Sequence, residues 1–186
     1  GCRSSLAKIL ADQGRRAEAL REYRQVLAAR ERLLGSEDLE VARTRGELAG
    51  VLNAAAQYRE AEKCSREAQP VLEKSLGPEH PETLSNQSHL AIALGFQGKY
   101  EAALSGLLAV LAIRERVLGE SHPSVPMTCL NLARLMGGAQ HFEEALPYAQ
   151  RAEKGLTAAL GKDHEETRFA RILLHQLDLE VAGRKK

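Results

Sequence analysis

Apolar residues recur at helical spacing along the chain, in segments separated by short polar or glycine-containing breaks. Leu6, Ile9 and Leu10 share one face of a first segment, residues 1–13. Ala19, Leu20, Tyr23, Val26, Leu27 and Leu33-Leu34 line a second, residues 16–34. The same pattern predicts helices over 38–55, 58–76, 81–97, 100–118, 123–139, 142–160 and 164–182. These segments are copies of one another. Leu-Ala stands at Leu6-Ala7, Leu48-Ala49, Leu90-Ala91 and Leu132-Ala133, 42 residues apart each time, and Leu174 begins a fifth copy. Four more columns run unbroken: Ala19, Ala61, Ala103, Ala145; Leu34, Leu76, Leu118, Leu160; Gly35, Gly77, Gly119, Gly161; and Leu10, Leu52, Leu94, Met136. A fixed period without insertions is the signature of a stacked repeat array. The expected fold is all-α, an α-solenoid of antiparallel helix pairs in one domain. Its repeats cover about 1–37 (truncated), 38–79, 80–121 and 122–163, with a C-terminal capping helix over 164–182.

Local chemistry agrees with these boundaries. Each column glycine follows a second helix and supplies the left-handed residue of a helix C-terminus. Arg30, Arg32, Lys74, Arg114 and Arg116 lie in last turns, where the helix dipole favours cations. Pro81 and Pro123 read as first helical residues, where a missing N–H costs nothing, and Pro126 still falls in a first turn. Pro70 and Pro147 fall inside second helices and predict a bend in each. Asp178 stands where other copies have Leu or Met, as suits a terminal helix with a wet outer face. Gly183-Arg184-Lys185-Lys186 reads as a frayed end. Helix 1–13 is shorter than its later equivalents, so the chain reads as cut from a longer array.

The alanine column lets two helix axes come close. The leucine column is expected to bury about 1.5–3 kcal/mol worth of side chain per position against the next helix. Arg16, Tyr58, Tyr100 and Phe142 form a further column that covers the turn. All of these are scaffold.

Composition narrows the function classes. Among 186 residues, 26 Lys plus Arg face 25 Asp plus Glu, a net charge of +1. That balance offers no general attraction to nucleic acid or an acidic membrane. No run of 18 apolar residues exists to span a bilayer. Cys2, Cys64 and Cys129 are an odd, unspaced set, which argues against a disulfide framework and for a reducing, cytoplasmic compartment.

Several motifs carry a family resemblance. Gly98-Lys99-Tyr100, Glu-Ala at 60–61 and 101–102, AIRERVLG at 112–119 and GPEHPET at 77–83 closely resemble the 42-residue tetratricopeptide repeats of kinesin light chains. The resemblance covers residues 5–182. It implies a right-handed superhelix whose groove, lined by the first helix of each pair, holds a peptide from another protein. Kinesin light chains carry Asn-Asn just before the Leu-Ala pair. Here those positions read Gly46-Glu47, Ser88-His89, Leu130-Asn131 and Ile172-Leu173, so Asn131 alone matches.

The corresponding inward face holds Lys8 and Asp12, then Arg43, Glu47, Gly50 and Asn53, then Ser85, His89, Ile92 and Phe96. Met127, Leu130, Asn131 and Arg134 follow, and Phe169, Ile172 and Gln176 end the series. Small, apolar and polar residues together give a peptide room, contact and donors. For each residue singly the alternative is a solvated face or packing between repeats. Gly46 and Gly50 cost roughly 1 kcal/mol each mid-helix. That makes sense if something lies close above them; tolerated drift is the other reading. His80, His122 and His164 recur one repeat apart, too far for a shared metal, and read as loop residues at helix starts. Gly155–Lys162 resembles a phosphate loop but has five intervening residues and no following Ser/Thr. His164-Glu165-Glu166 lacks the second His of a zinc-protease helix. The expectation is a noncatalytic interaction module binding a protein or peptide, without cofactor or metal. The alternative is the regulatory array of a multidomain ATPase or protein kinase.

Overall fold

The structure, a computed structural model, describes residues 2–184, and of Cys2 the backbone alone. Two compact units divide the chain, Gly1–Lys99 and Tyr100–Lys186. The first contains α1 (Cys2–Asp12), α2 (Arg16–Leu34), α3 (Leu39–Ala54), α4 (Tyr58–Leu76) and α5 (Pro81–Gly95). The second contains α6 (Tyr100–Leu118), α7 (Ser124–Gly138), α8 (Phe142–Leu160) and α9 (Glu165–Arg184). No strand occurs among the described residues. Each predicted helix is present, and its ends fall within about two residues of the periodic pattern, as far as the described residues reach.

The first helices of the later copies begin on one repeated device. The Asp38 carboxylate accepts the Glu40 N–H at 2.8 Å. In the next three copies a histidine takes this role. Nδ1 of His80 accepts from Glu82 N–H at 3.2 Å, His122 from Ser124 at 3.2 Å and His164 from Glu166 at 3.3 Å. The histidine series is therefore a capping column: a ring nitrogen satisfies one orphan donor of each helix start.

In the first unit, Ala7 and Leu10 of α1, Ala19, Leu20 and Tyr23 of α2, Leu48, Ala49 and Leu52 of α3 and Ala61 of α4 form one core. Helix α3 also packs directly on α5. In the second unit α7 packs on α6, α8 and α9. The whole alanine column is fully buried. Helices α4 and α8 run through Pro70 and Pro147. The aromatic column reaches the turn of the following copy. Tyr58 stacks on Phe96 at 4.7 Å, Tyr100 on His141 at 5.3 Å, and Phe142 lies under the Arg184 guanidinium at 4.5 Å.

Three expectations need correction. The leucine column is not a buried one: Leu34 is 52% and Leu160 39% exposed, and Leu76 and Leu118 are half-buried. These leucines end their helices, and the side chains that meet the next helix come one turn earlier, at Leu72, Arg114 and Leu156. Three of the column glycines have positive φ but are not in the left-handed helical region. Gly35, Gly77 and Gly161 combine φ of 85–95° with ψ of 158–163°, a mirror-extended conformation open essentially to glycine alone. Finally, α9 continues through Gly183 and Arg184, whose guanidinium donates to the Gln140 carbonyl at 3.3 Å. Lys185 and Lys186 lie outside the described residues.

Candidate functional site

Two glycines on α3 allow α5 to come close. An added Cβ at Gly50 would stand 2.9 Å from His89 Cε1, and one at Gly46 would stand 3.4 Å from Asn86 Oδ1. The imidazole fills the space over Gly50, and its Nδ1 lies 3.0 Å from the Gly46 carbonyl, which accepts the ring N–H. One turn on, Asn53 Nδ2 donates to the His89 carbonyl at 2.8 Å. What lies close above the two mid-helix glycines is thus the next repeat of the same chain.

Beside this seam is a cavity of about 330 Å³. Lys8 of α1, Arg43, Gly46 and Glu47 of α3, Leu72 of α4, and Pro81, Glu82, Ser85, Asn86 and His89 of α5 line it. Five residues of the inward face read from the sequence, Lys8, Arg43, Glu47, Ser85 and His89, therefore meet in one pocket. Arg43 is held between two carboxylates, Glu40 at 2.7 Å and Glu82 at 2.8 Å. Glu40 is shared with Arg30 at 3.0 Å. Glu47 is exposed at the pocket mouth, and the helices crowded around it raise its carboxyl pKa by partial desolvation; Lys8 and Arg30 oppose the shift, while Glu82 and Glu40 add to it. Asn86 is 1% exposed, with Nδ2 donating to the Ser65 carbonyl at 2.9 Å and to Gln69 Oε1 at 2.7 Å. Its Oδ1 is buried without a partner. An unpaired buried acceptor costs about 1–3 kcal/mol.

The remaining candidates divide. Asn53 supports His89 from behind, and Ile92 is half-buried on α5 outside the pocket lining. In the second unit Arg134 lies 5.3 Å over the Phe169 ring, with Met127 and Asn131 half-buried. Leu130 is corrected. At 1% exposure it is a core residue and offers nothing to a ligand. It occupies the face of α7 that packs inward, as Gly46 does on α3. Asn86 and Glu82 escaped the sequence reading. Asn86 shares a buried column with Thr44 and Thr128, and that polar column was the available signal. A second cavity, about 630 Å³, lies in the second unit where Gly155 admits Pro126; a Cβ on Gly155 would stand 2.7 Å from the proline Cβ. Cys129 lies at its wall, and burial pushes its thiol up to about 11. Cys64 and Cys129 are free thiols. No group of three or more His, Cys, Asp or Glu is gathered for a metal among the described residues. No described helix is long and apolar enough to cross a membrane.

These features define an all-α helical-repeat protein whose stacked pairs present small and polar residues on their first helices. The tetratricopeptide repeat family matches residues 3–74, 40–105 and 86–158, and the chain belongs to that family, a fold of protein–protein interaction. Its solved relatives agree. A kinesin light chain-like protein of Podosopora anserina with nearly identical TPR-like repeats is 26% identical, over 99% of this chain and 87% of that one, with a TM-score of 0.73. BtubC (BKLC) from P. vanneervenii superposes with a TM-score of 0.71 at 20% identity, covering 97% of this chain and 72% of its own. The apo form of RapI superposes at 0.66 and 14% identity, over 97% of this chain and 48% of its own. Comparison with curated proteins found no match.

Proposed function

We propose that the chain is a noncatalytic, cytoplasmic interaction module, one domain of repeats at about 1–37, 38–79, 80–121 and 122–163 with a capping helix over 164–182. It holds a peptide segment of a partner protein on the face of its first helices. The supporting observation is the pocket in which Lys8 and Arg43, Glu47 and Glu82, and Ser85 and His89 converge from α1, α3 and α5. It is open, mixed in polarity and backed by packed helices, which suits an extended peptide more than a deeply enclosed small molecule. The near-neutral charge of +1 works against a nucleic-acid partner. Asn131, Arg134 and Phe169 offer a comparable face in the second unit.

The test is selection from a displayed random-peptide library against the whole chain. Selected peptides are expected to compete with one another and to lose affinity when Ser85→Trp fills the pocket. Peptides that bind the Ser85→Trp protein unchanged would place recognition elsewhere.

A further inference from the structure

The pocket of α1, α3 and α5 contains acceptors that lack donors. Glu47, a solvent-exposed residue, enters it from α3, and water rather than any described residue solvates its carboxylate. Asn86 enters from α5, almost wholly buried, with both its amide bonds made and Oδ1 unpartnered. That oxygen faces the bare Cα of Gly46, itself part of the pocket wall. Arg43 does not answer either group, because Glu40 and Glu82 hold its guanidinium. Lys8 stands exposed on α1 and forms no ion pair with Glu47. The titrating neighbours of Glu47 are Lys8, Arg30, Glu40 and Glu82.

We infer that this pocket takes a basic side chain of the partner peptide, arginine ahead of lysine, with Glu47 as its counter-ion and Asn86 Oδ1 as a second acceptor. Guanidinium presents five N–H donors in a planar fork, whereas ammonium presents three around one point. Two acceptors from different helices suit the fork. The raised Glu47 pKa fits a carboxylate waiting for a cation: a bound guanidinium would return it to its ordinary range or below. An acidic ligand residue would instead meet Glu47 and Glu82 with Lys8 as its main attraction. The assignment rests on the peptide-binding reading above and specifies the chemistry of one subsite.

A positional-scanning library of synthetic peptides, built on a sequence selected by display, is the test. Arginine, then lysine, is expected at one position, and replacing it by glutamine should weaken binding about tenfold or more. Glu47→Gln should erase the preference for arginine over glutamine at that position and leave the rest of the peptide's affinity. Lys8→Ala should keep the preference. Thermal melting of Glu47→Gln close to wild type shows that the fold is intact. Selection of acidic or apolar residues at every position, with Glu47→Gln without effect, overturns the basic subsite while the peptide-binding reading survives. A library that yields no binder removes both.

Discussion

His89 rests on Gly50: a Cβ on residue 50 would stand 2.9 Å from the ring Cε1 and 3.0 Å from Nε2. Alanine at 50 would gain roughly 1 kcal/mol of helix propensity. It would also push the ring off the Gly46 carbonyl and forfeit a hydrogen bond of about 0.5–1.5 kcal/mol. The two effects nearly cancel, so Gly50→Ala alone is expected to change stability by less than about 1 kcal/mol. In a His89→Ala background the clash is gone, and the same change should stabilise by roughly 1 kcal/mol. A double-mutant cycle by urea unfolding reads the coupling. Equal effects in both backgrounds would mean that the ring does not rest on residue 50.

Gly77 has open space around its missing Cβ, so any cost of substitution comes from the backbone. With φ 95° and ψ 158° it occupies a region that L-residues avoid. Gly77→Ala should destabilise by about 1–3 kcal/mol although nothing is struck. The turn column behaves in the opposite way. Gly14, Ala56, Gly98 and Gln140 all have positive φ, and two of them are not glycine. Ala56→Gly should therefore stabilise by about 0.5–1 kcal/mol, the relief of left-handed strain exceeding the gain in unfolded-state entropy. Chemical denaturation of both variants checks the pair.

Arg114 lies in a column that reads Leu72 and Leu156 in its neighbours. It is buried, its pKa held below the usual value by loss of solvent, and Nη1 donates to Thr128 Oγ1 at 2.7 Å. Arg114→Leu should lose less than Arg114→Ala, since leucine is the residue that the adjacent copies pack at this place. Arg114→Ala should lose about 2–4 kcal/mol through the cavity and the lost packing of the arginine stem. Thermal unfolding of the two variants separates charge from volume.

Glu62 is a packed residue whose carboxylate emerges beside Lys99, at 2.8 Å, and Arg66, at 3.0 Å. The Lys99 hydrogen bond first, then Gln97 and the two positive charges, hold its pKa below the usual carboxylate value against some desolvation. A lowered folded-state pKa means that the unfolded chain binds the proton more readily. The contribution is therefore present above the ordinary glutamate range, near 4.3, and is lost as pH falls through the folded-state value. Lys99 and Arg66 are half-exposed or more, so screening limits the effect to about 0.5–1 kcal/mol. Glu62→Gln should lose that much at neutral pH and nothing in strong acid. Stability measured against pH for both proteins tests the sign.

Burial pushes the Cys64 and Cys129 thiols up to about 11 each. Little thiolate exists at neutral pH, and the sulfurs are covered. Their labelling by a thiol reagent should follow unfolding, rising with urea along the same transition as helicity. Rapid labelling of either in native buffer would contradict the packing.

The period of 42 and the helical spacing determined by themselves how many helices form and where they end. Those properties are local: a glycine column, a capping residue and a 3.6-residue rhythm act within a few turns of chain. The family motifs identified the repeat type for the same reason, since they are short and contiguous. What rests on Gly50, whether Leu130 or Met127 is reachable and how deep Leu34 sits follow from contacts between helices. The rhythm is the same for a groove face and for a face that receives the next repeat. The rotation of α3 against α5 assigned Gly46 and Gly50 to packing and left Arg43 and Glu47 at the pocket. That rotation depends on side chains about 40 residues apart fitting together, and only the tertiary structure decides it.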